Sequence, residues 1–217
     1  MKERIKKLLN SDTLMLIIGF VVVPICSFVL ISVSEESPLY TSISRIAWVH
    51  GHWFKTFLWA LIVMGAVVWL TYRLVETGPL SEKSKKGYFF GQFINILMVF
   101  LGCIVFPAKA SSDIVKFVNY VHDYLTIVAW ALYAVGLLVY SVIIRKKEKF
   151  ISSLGIYLMI YIIFSSLFFI SNVIDPTSYV GASAVSEVYI INSIVIYLMV
   201  MCIAQRYTKK IKNNNEA

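Results

Sequence analysis

The chain has 217 residues, of which 59% are hydrophobic and only 15% are charged, and its formal net charge is +8. Soluble domains carry roughly 25% charged residues, so the composition excludes an ordinary soluble protein and predicts an integral membrane protein. The basic residues stand in small groups between apolar runs. A surface that binds nucleic acid gathers them on one soluble face, so we expect no nucleic-acid partner.

Six apolar runs are long enough to cross a hydrocarbon core of about 30 Å. They cover residues 13–33, 53–74, 88–106, 120–144, 150–170 and 188–204. We therefore predict an all-α fold, a polytopic bundle of six transmembrane helices that forms one domain over residues 1–217. The first run follows basic residues, as a signal segment does, but it is too long for a typical one, so we expect a retained anchor.

The basic residues also predict the direction of the helices, because cytoplasmic segments keep the excess of lysine and arginine. Sixteen of the 20 fall into four groups: before the first span, between spans two and three, between spans four and five, and after span six. Both termini are therefore expected in the cytoplasm, with a basic tail over residues 205–217. We expect the protein in the cell membrane, with membrane lipids as its first partners.

The outer segment 34–52 is predicted to contain a short helix between the first two spans. Pro38 ends the first helix, because the residue before a proline is pushed away from helical geometry. After Thr41 or Ser42, either of which can cap a helix, apolar residues recur at helical spacing. The positions in this pattern are Ile43, Ile46, Ala47 and His50. We expect an amphipathic helix on the outer membrane surface or leaning into the mouth of the bundle, ended by Gly51.

All three histidines fall on the outer side, at positions 50, 52 and 122. In an extended chain His50 and His52 share one face, and His122 could add a third nitrogen. Asp123 could supply an oxygen, which completes the ligand type and number that zinc takes. The alternative is that these side chains have structural or recognition roles, since no metal-binding spacing such as HExxH occurs.

Arg45 and Glu187 complete the candidate contact residues of the outer face. We expect Arg45 to form a loop ion pair with Glu35 or Glu36, which contributes little to stability when exposed. Within the spans, the amides of Gln92, Asn95 and Asn192 are expected to form hydrogen bonds between helices. No Lys, Arg, Asp or Glu lies near the centre of a span, which disfavours an ion-coupled pump.

Three landmarks carry a family resemblance: an outer loop with serine and proline after the first span, Phe106–Pro107 at the end of the third, and His122 at the start of the fourth. With these the chain resembles the bacterial six-span membrane proteins of unknown function related to the DRAM-like group. The resemblance implies a membrane-stress, lipid-linked or accessory role, without established catalytic residues.

Three functional hypotheses follow. The leading one is a non-enzymatic protein of a bacterial cytoplasmic membrane whose outer mouth contacts a lipid headgroup, a small ligand or another membrane protein. The second is a metal-dependent lipid hydrolase, in which zinc held by the three histidines would activate water. The third is a facilitative transporter, which requires a polar path joining Asn192 to Gln92 and Asn95.

The orientation can be checked by thiol labelling of intact cells. In a variant without the native cysteines, we expect a membrane-impermeant maleimide to label Glu35→Cys at once, because residue 35 lies on the outer side. Ser84→Cys, in a basic loop, should react only after the membrane is permeabilised. The reverse labelling pattern would overturn the predicted direction.

Overall fold

The structure, a computed structural model, describes residues 11–38, 41–105, 113–173 and 183–215. Within the helices, the side chains outside this description are those of residues 113–120, 123–124, 168–173, 212–213 and 215. Regular structure in the described residues is helical throughout, which confirms the predicted all-α class. Six of these helices are long and apolar enough to cross a membrane, in agreement with the predicted number.

The described residues form seven helices in chain order. They are α1 (Asp12–Ser32), α2 (Ile43–Trp48), α3 (Trp53–Thr77), α4 (Glu82–Val105), α5 (Asp113–Ile143), α6 (Lys149–Val173) and α7 (Ala184–Asn215). All except α2 are candidate spans.

Two helices are longer than the predicted spans. α4 begins at Glu82 rather than at residue 88, and α7 continues to Asn215 through most of the expected tail. Hydropathy marks only the embedded part of a helix, whereas lysine and glutamate extend it readily into water.

α1 changes its geometry just before Pro24. Residues Ile18–Val22 form a π-helical segment between two α-helical stretches. Proline has no N–H and crowds the carbonyl four residues earlier, so a wider turn at this point relieves the clash. The apolar run therefore stays helical across the membrane despite its proline.

α3 is the most buried helix of the bundle. Of its most apolar stretch 56% is buried, compared with 28% for α1, α4 and α6. α3 packs against α1, α4 and α7; α4 packs against α5, α5 against α6, and α6 against α7. Helices α3 to α7 thus close a ring, and α1 lies outside it against α3 and α7.

Buried polar side chains join neighbouring helices of the bundle. The Trp59 indole N–H of α3 donates to Ser27 Oγ of α1 at 3.0 Å. The hydroxyls of Thr71 and Tyr133 lie 2.7 Å apart between α3 and α5, and the Gln92 amide of α4 donates to the Tyr133 carbonyl at 3.2 Å. Hydrocarbon offers no competing partner, so such bonds fix the rotation of each helix. The interhelical role expected of Gln92 is confirmed, whereas the amides of Asn95 and Asn192 donate to partners on their own helices.

Gly136 lies at a point of close approach between α4 and α5. A Cβ added there would lie 2.2 Å from Gln92 Nε2. We expect Gly136→Ala to lower the free energy of unfolding by about 1–3 kcal/mol, because the buried Gln92 amide must move away from its hydrogen-bonded position. The measurement is the thermal midpoint of the purified protein in detergent. Gly91→Ala is the matched control, since a Cβ there meets no described atom within 4 Å; equal losses for both variants would contradict this account.

Candidate outer-face site

We use outer for the end of the bundle that carries segment 34–52 and inner for the opposite end, following the charge pattern. At the outer end, α2 begins where Ser42 Oγ accepts the Arg45 N–H at 3.2 Å. It ends at Trp48, and Gly51 in the turn that follows adopts φ +72°, a conformation that glycine takes without strain. The His52 N–H then donates to the Ile46 carbonyl at 3.1 Å. The predicted short helix is confirmed with Ser42 as its cap, but it ends three residues before Gly51, so His50 lies in the turn rather than on the helix.

α2 leans into the mouth of the bundle and covers it. Its buried side chains are at most 5% exposed and comprise Ile43, Ser44, Ile46 and Ala47. They pack against α3 and α4. Of the two placements left open by the sequence, the structure therefore has the one inside the mouth.

Two short hydrogen bonds tie this segment to the start of α7. Glu187 Oε2 accepts the Ile43 N–H at 2.7 Å, and the Ala184 N–H donates to the Thr41 carbonyl at 2.6 Å. The first N–H groups of a helix have no acceptor within that helix. Glu187 therefore caps the start of α2, and the Thr41 carbonyl caps the start of α7. Glu187 thereby has a structural role, holding α2 in place.

Glu36, Arg45 and His50 form a charged group at the edge of this segment, which we call the outer rim cluster. Arg45 Nη2 donates to both carboxylate oxygens of Glu36 at 3.2 Å, which confirms the expected loop ion pair. His50 Nε2 lies 3.7 Å from Glu36 Oε2. The Glu36 side chain is 44% exposed, that of Arg45 23% and that of His50 only 4%. The ion pair therefore faces outward, and the imidazole lies behind it.

The His50 ring positions the loop that carries Glu36. Its Nδ1 lies 3.4 Å from the Glu35 N–H nitrogen and 3.4 Å from Ser34 Oγ. To accept from an N–H, Nδ1 must be unprotonated, so in the neutral ring the proton is on Nε2 and is directed toward Glu36. Both ring nitrogens of His50 thus face the loop.

The other two histidines lie elsewhere. His122 is buried in α5, and its Nδ1 lies 2.6 Å from the Gly102 carbonyl of α4. His52 is half-buried and immediately precedes α3. The Asp123 side chain and the Phe106–Pro107 landmark lie outside the described residues. Among the described side chains, no group of three or more His, Cys, Asp or Glu could hold a metal ion, so the three histidines are not brought together as a site.

Aromatic rings border the outer rim cluster, a juxtaposition that the sequence analysis missed. Trp48 follows Arg45 by three residues, so the two share a face of α2. The rings of Trp48 and Trp53 meet edge to face with centroids 6.4 Å apart, and these residues are 38% and 39% exposed. The Trp53 N–H donates to the Ile104 carbonyl at 2.9 Å, which anchors the pair on α4. The signal in the sequence was the spacing of three residues between Arg45 and Trp48, which places the ion pair and the indole on one face of a helix.

The role of Glu187 can be measured as the accessibility of α2. In a variant without the native cysteines, Ser44→Cys reports opening, because Ser44 is only 5% exposed. We expect Glu187→Ala to speed maleimide labelling at position 44 about tenfold, since a charge-assisted hydrogen bond is worth about 1.5–3 kcal/mol. Glu35→Ala, which removes an exposed carboxylate of the same segment, should leave the rate unchanged. The same rate for both variants would show that Glu187 does not hold α2.

No protein-family model, curated protein or solved structure matches the chain. The resemblance to the DRAM-like six-span proteins accordingly stays a prediction, and residue roles rest on geometry alone. That geometry is of an integral membrane protein with six helices able to span the bilayer. Its outer end is closed by α2 and carries an exposed ion pair beside two tryptophans.

Proposed function

We propose that this is a non-enzymatic protein of a bacterial cytoplasmic membrane whose outer rim cluster binds the headgroup of a zwitterionic phospholipid. The observation that supports this proposal is the exposed Glu36–Arg45 pair on a helix fixed at the mouth of the bundle. A guanidinium matches a phosphate, and a carboxylate matches an ammonium group. The cluster carries a positive and a negative charge side by side. It therefore suits a headgroup that carries a phosphate next to an ammonium group.

The tryptophans beside the cluster support the same ligand. Indole rings prefer the level of the headgroups, where one edge is wet and the other meets acyl chains. Phe54, at the start of α3, is 63% exposed and extends this apolar surface. A phospholipid could therefore place its headgroup on Glu36 and Arg45 while its chains follow α3.

The two alternatives receive less support from the described residues. A metal-dependent lipid hydrolase needs converging imidazoles, but His50 faces its own loop and His122 faces Gly102. A transporter needs polar groups along a path, whereas Asn95 donates to Gln92 at 3.2 Å and Asn192 donates to a carbonyl of its own helix. We therefore retain the binding role.

The test is lipid retention by the purified protein, measured by native mass spectrometry after reconstitution with phosphatidylethanolamine, phosphatidylcholine and phosphatidylglycerol. We expect the wild type to retain phosphatidylethanolamine preferentially, since its primary ammonium can donate to Glu36. Arg45→Gln should weaken retention about tenfold, the cost of losing a charge-assisted hydrogen bond.

Lys55→Gln is the matched control, because it removes one exposed positive charge near the outer start of α3 without touching the cluster. Its retention of phosphatidylethanolamine should equal that of the wild type. If Arg45→Gln and Lys55→Gln behave alike, or if the protein prefers phosphatidylglycerol, the proposed headgroup contact is wrong.

A further inference from the structure

A cavity of about 220 Å³ lies at the inner end of the bundle, where the chain turns from α3 into α4. Its walls come from the end of α3, the turn after it, the start of α6 and the inner part of α7. The lining residues that matter here are Thr77, Gly78, Glu148, Gln205 and Lys209. This cavity lies at the opposite end of the bundle from the outer rim cluster and is independent of it.

The floor of the cavity is a hydrogen-bonded chain shared by three helices. Thr77 Oγ1 donates to Gln205 Oε1 at 2.8 Å, and Gln205 Nε2 donates to the Tyr140 hydroxyl at 2.7 Å. Tyr140 in turn donates to the Leu74 carbonyl at 3.0 Å. A Cβ at Gly78 would lie 1.9 Å from the Tyr140 oxygen, so this tyrosine fits under the turn only because residue 78 is glycine. The polar floor is therefore preformed.

The rim of the cavity carries one lysine and one glutamate, and a second lysine lies nearby. Lys209 lines it, and nearby the Lys147 ammonium donates to the Pro79 carbonyl at 2.8 Å. Glu148 also lines the cavity, but it makes an interaction of its own. A carboxamide has two N–H donors, and the contact of Gln205 with Tyr140 uses one of them. The cavity thus offers the Lys209 ammonium and the second amide N–H of Gln205 as donors.

We propose that this inner cavity binds a phosphate group, with Lys209 as its charged contact. The phosphate belongs either to an anionic phospholipid of the adjacent leaflet or to a free phosphate compound. Basic pockets between helices at the cytoplasmic surface recognise such headgroups, because lysine ammonium groups neutralise the anion. Gln205, fixed by Thr77 and Tyr140, presents its amide at the base of the same cavity.

The experiment compares the full-length wild type with Lys209→Gln in phosphatidylcholine nanodiscs that contain a minor fraction of phosphatidylglycerol. Bound phosphatidylglycerol is counted by native mass spectrometry, and inorganic phosphate is titrated in a separate arm by calorimetry. We expect Lys209→Gln to reduce binding about tenfold in whichever arm shows it, because a charge-assisted contact is lost. Lys209→Arg, which keeps the charge, should retain most of the binding.

Lys210→Gln is the matched control, because Lys210 is an exposed neighbour on α7 that does not line the cavity. It removes the same charge at the same depth and should leave binding close to that of the wild type. Binding of phosphatidylglycerol identifies a lipid site, and binding of inorganic phosphate alone identifies a soluble ligand. Equal losses in Lys209→Gln and Lys210→Gln, or binding in neither arm, would overturn the proposal.

Discussion

A hydrocarbon core supplies no hydrogen-bond partners, and this constraint dictates how the polar side chains of the six spans are placed. Three tyrosines are at most 1% exposed within the bundle, yet each hydroxyl has a partner on another helix. The pairs are Tyr133 with Thr71, Tyr140 with Gln205, and Tyr197 with Ser141. Because these contacts join α3, α5 and α7, they set the rotation of each helix about its own axis.

With these tyrosines partnered inside the protein, the exposed ion pair and the cavity both lie at the ends of the bundle. The ends are closed in different ways. At the outer end α2 fills the mouth, and Glu187 and Ala184 connect it to α7. At the inner end the turn after α3 leaves a cavity over Tyr140 and Gln205. The outer end therefore offers a surface, whereas the inner end offers a recess.

The sequence could predict the depth of a residue in the membrane but not its position around the bundle. Hydropathy and charge placed His50, His52 and His122 at the same outer level. The helix rotations that decide which side chains meet depend on contacts such as Tyr140 with Gln205, far apart in the chain. Local signals did better, since Ser42 caps the start of α2 and Gly51 takes the positive φ of the turn that follows this helix.

The contacts at the outer end differ in strength. The stronger ones hold α2 in place, and the weaker ones are available to a ligand. Glu187 meets a backbone N–H at the partly buried start of α2, where losing the acceptor leaves a helix end unsatisfied. The Glu36–Arg45 pair is exposed, and such pairs contribute at most about 1 kcal/mol. If the phosphate and ammonium of a zwitterionic headgroup replaced the Glu36–Arg45 contact, the folded state would therefore lose little stability. His50, itself buried behind the pair, holds the loop that carries Glu36 through Nδ1, which lies 3.4 Å from the Glu35 nitrogen.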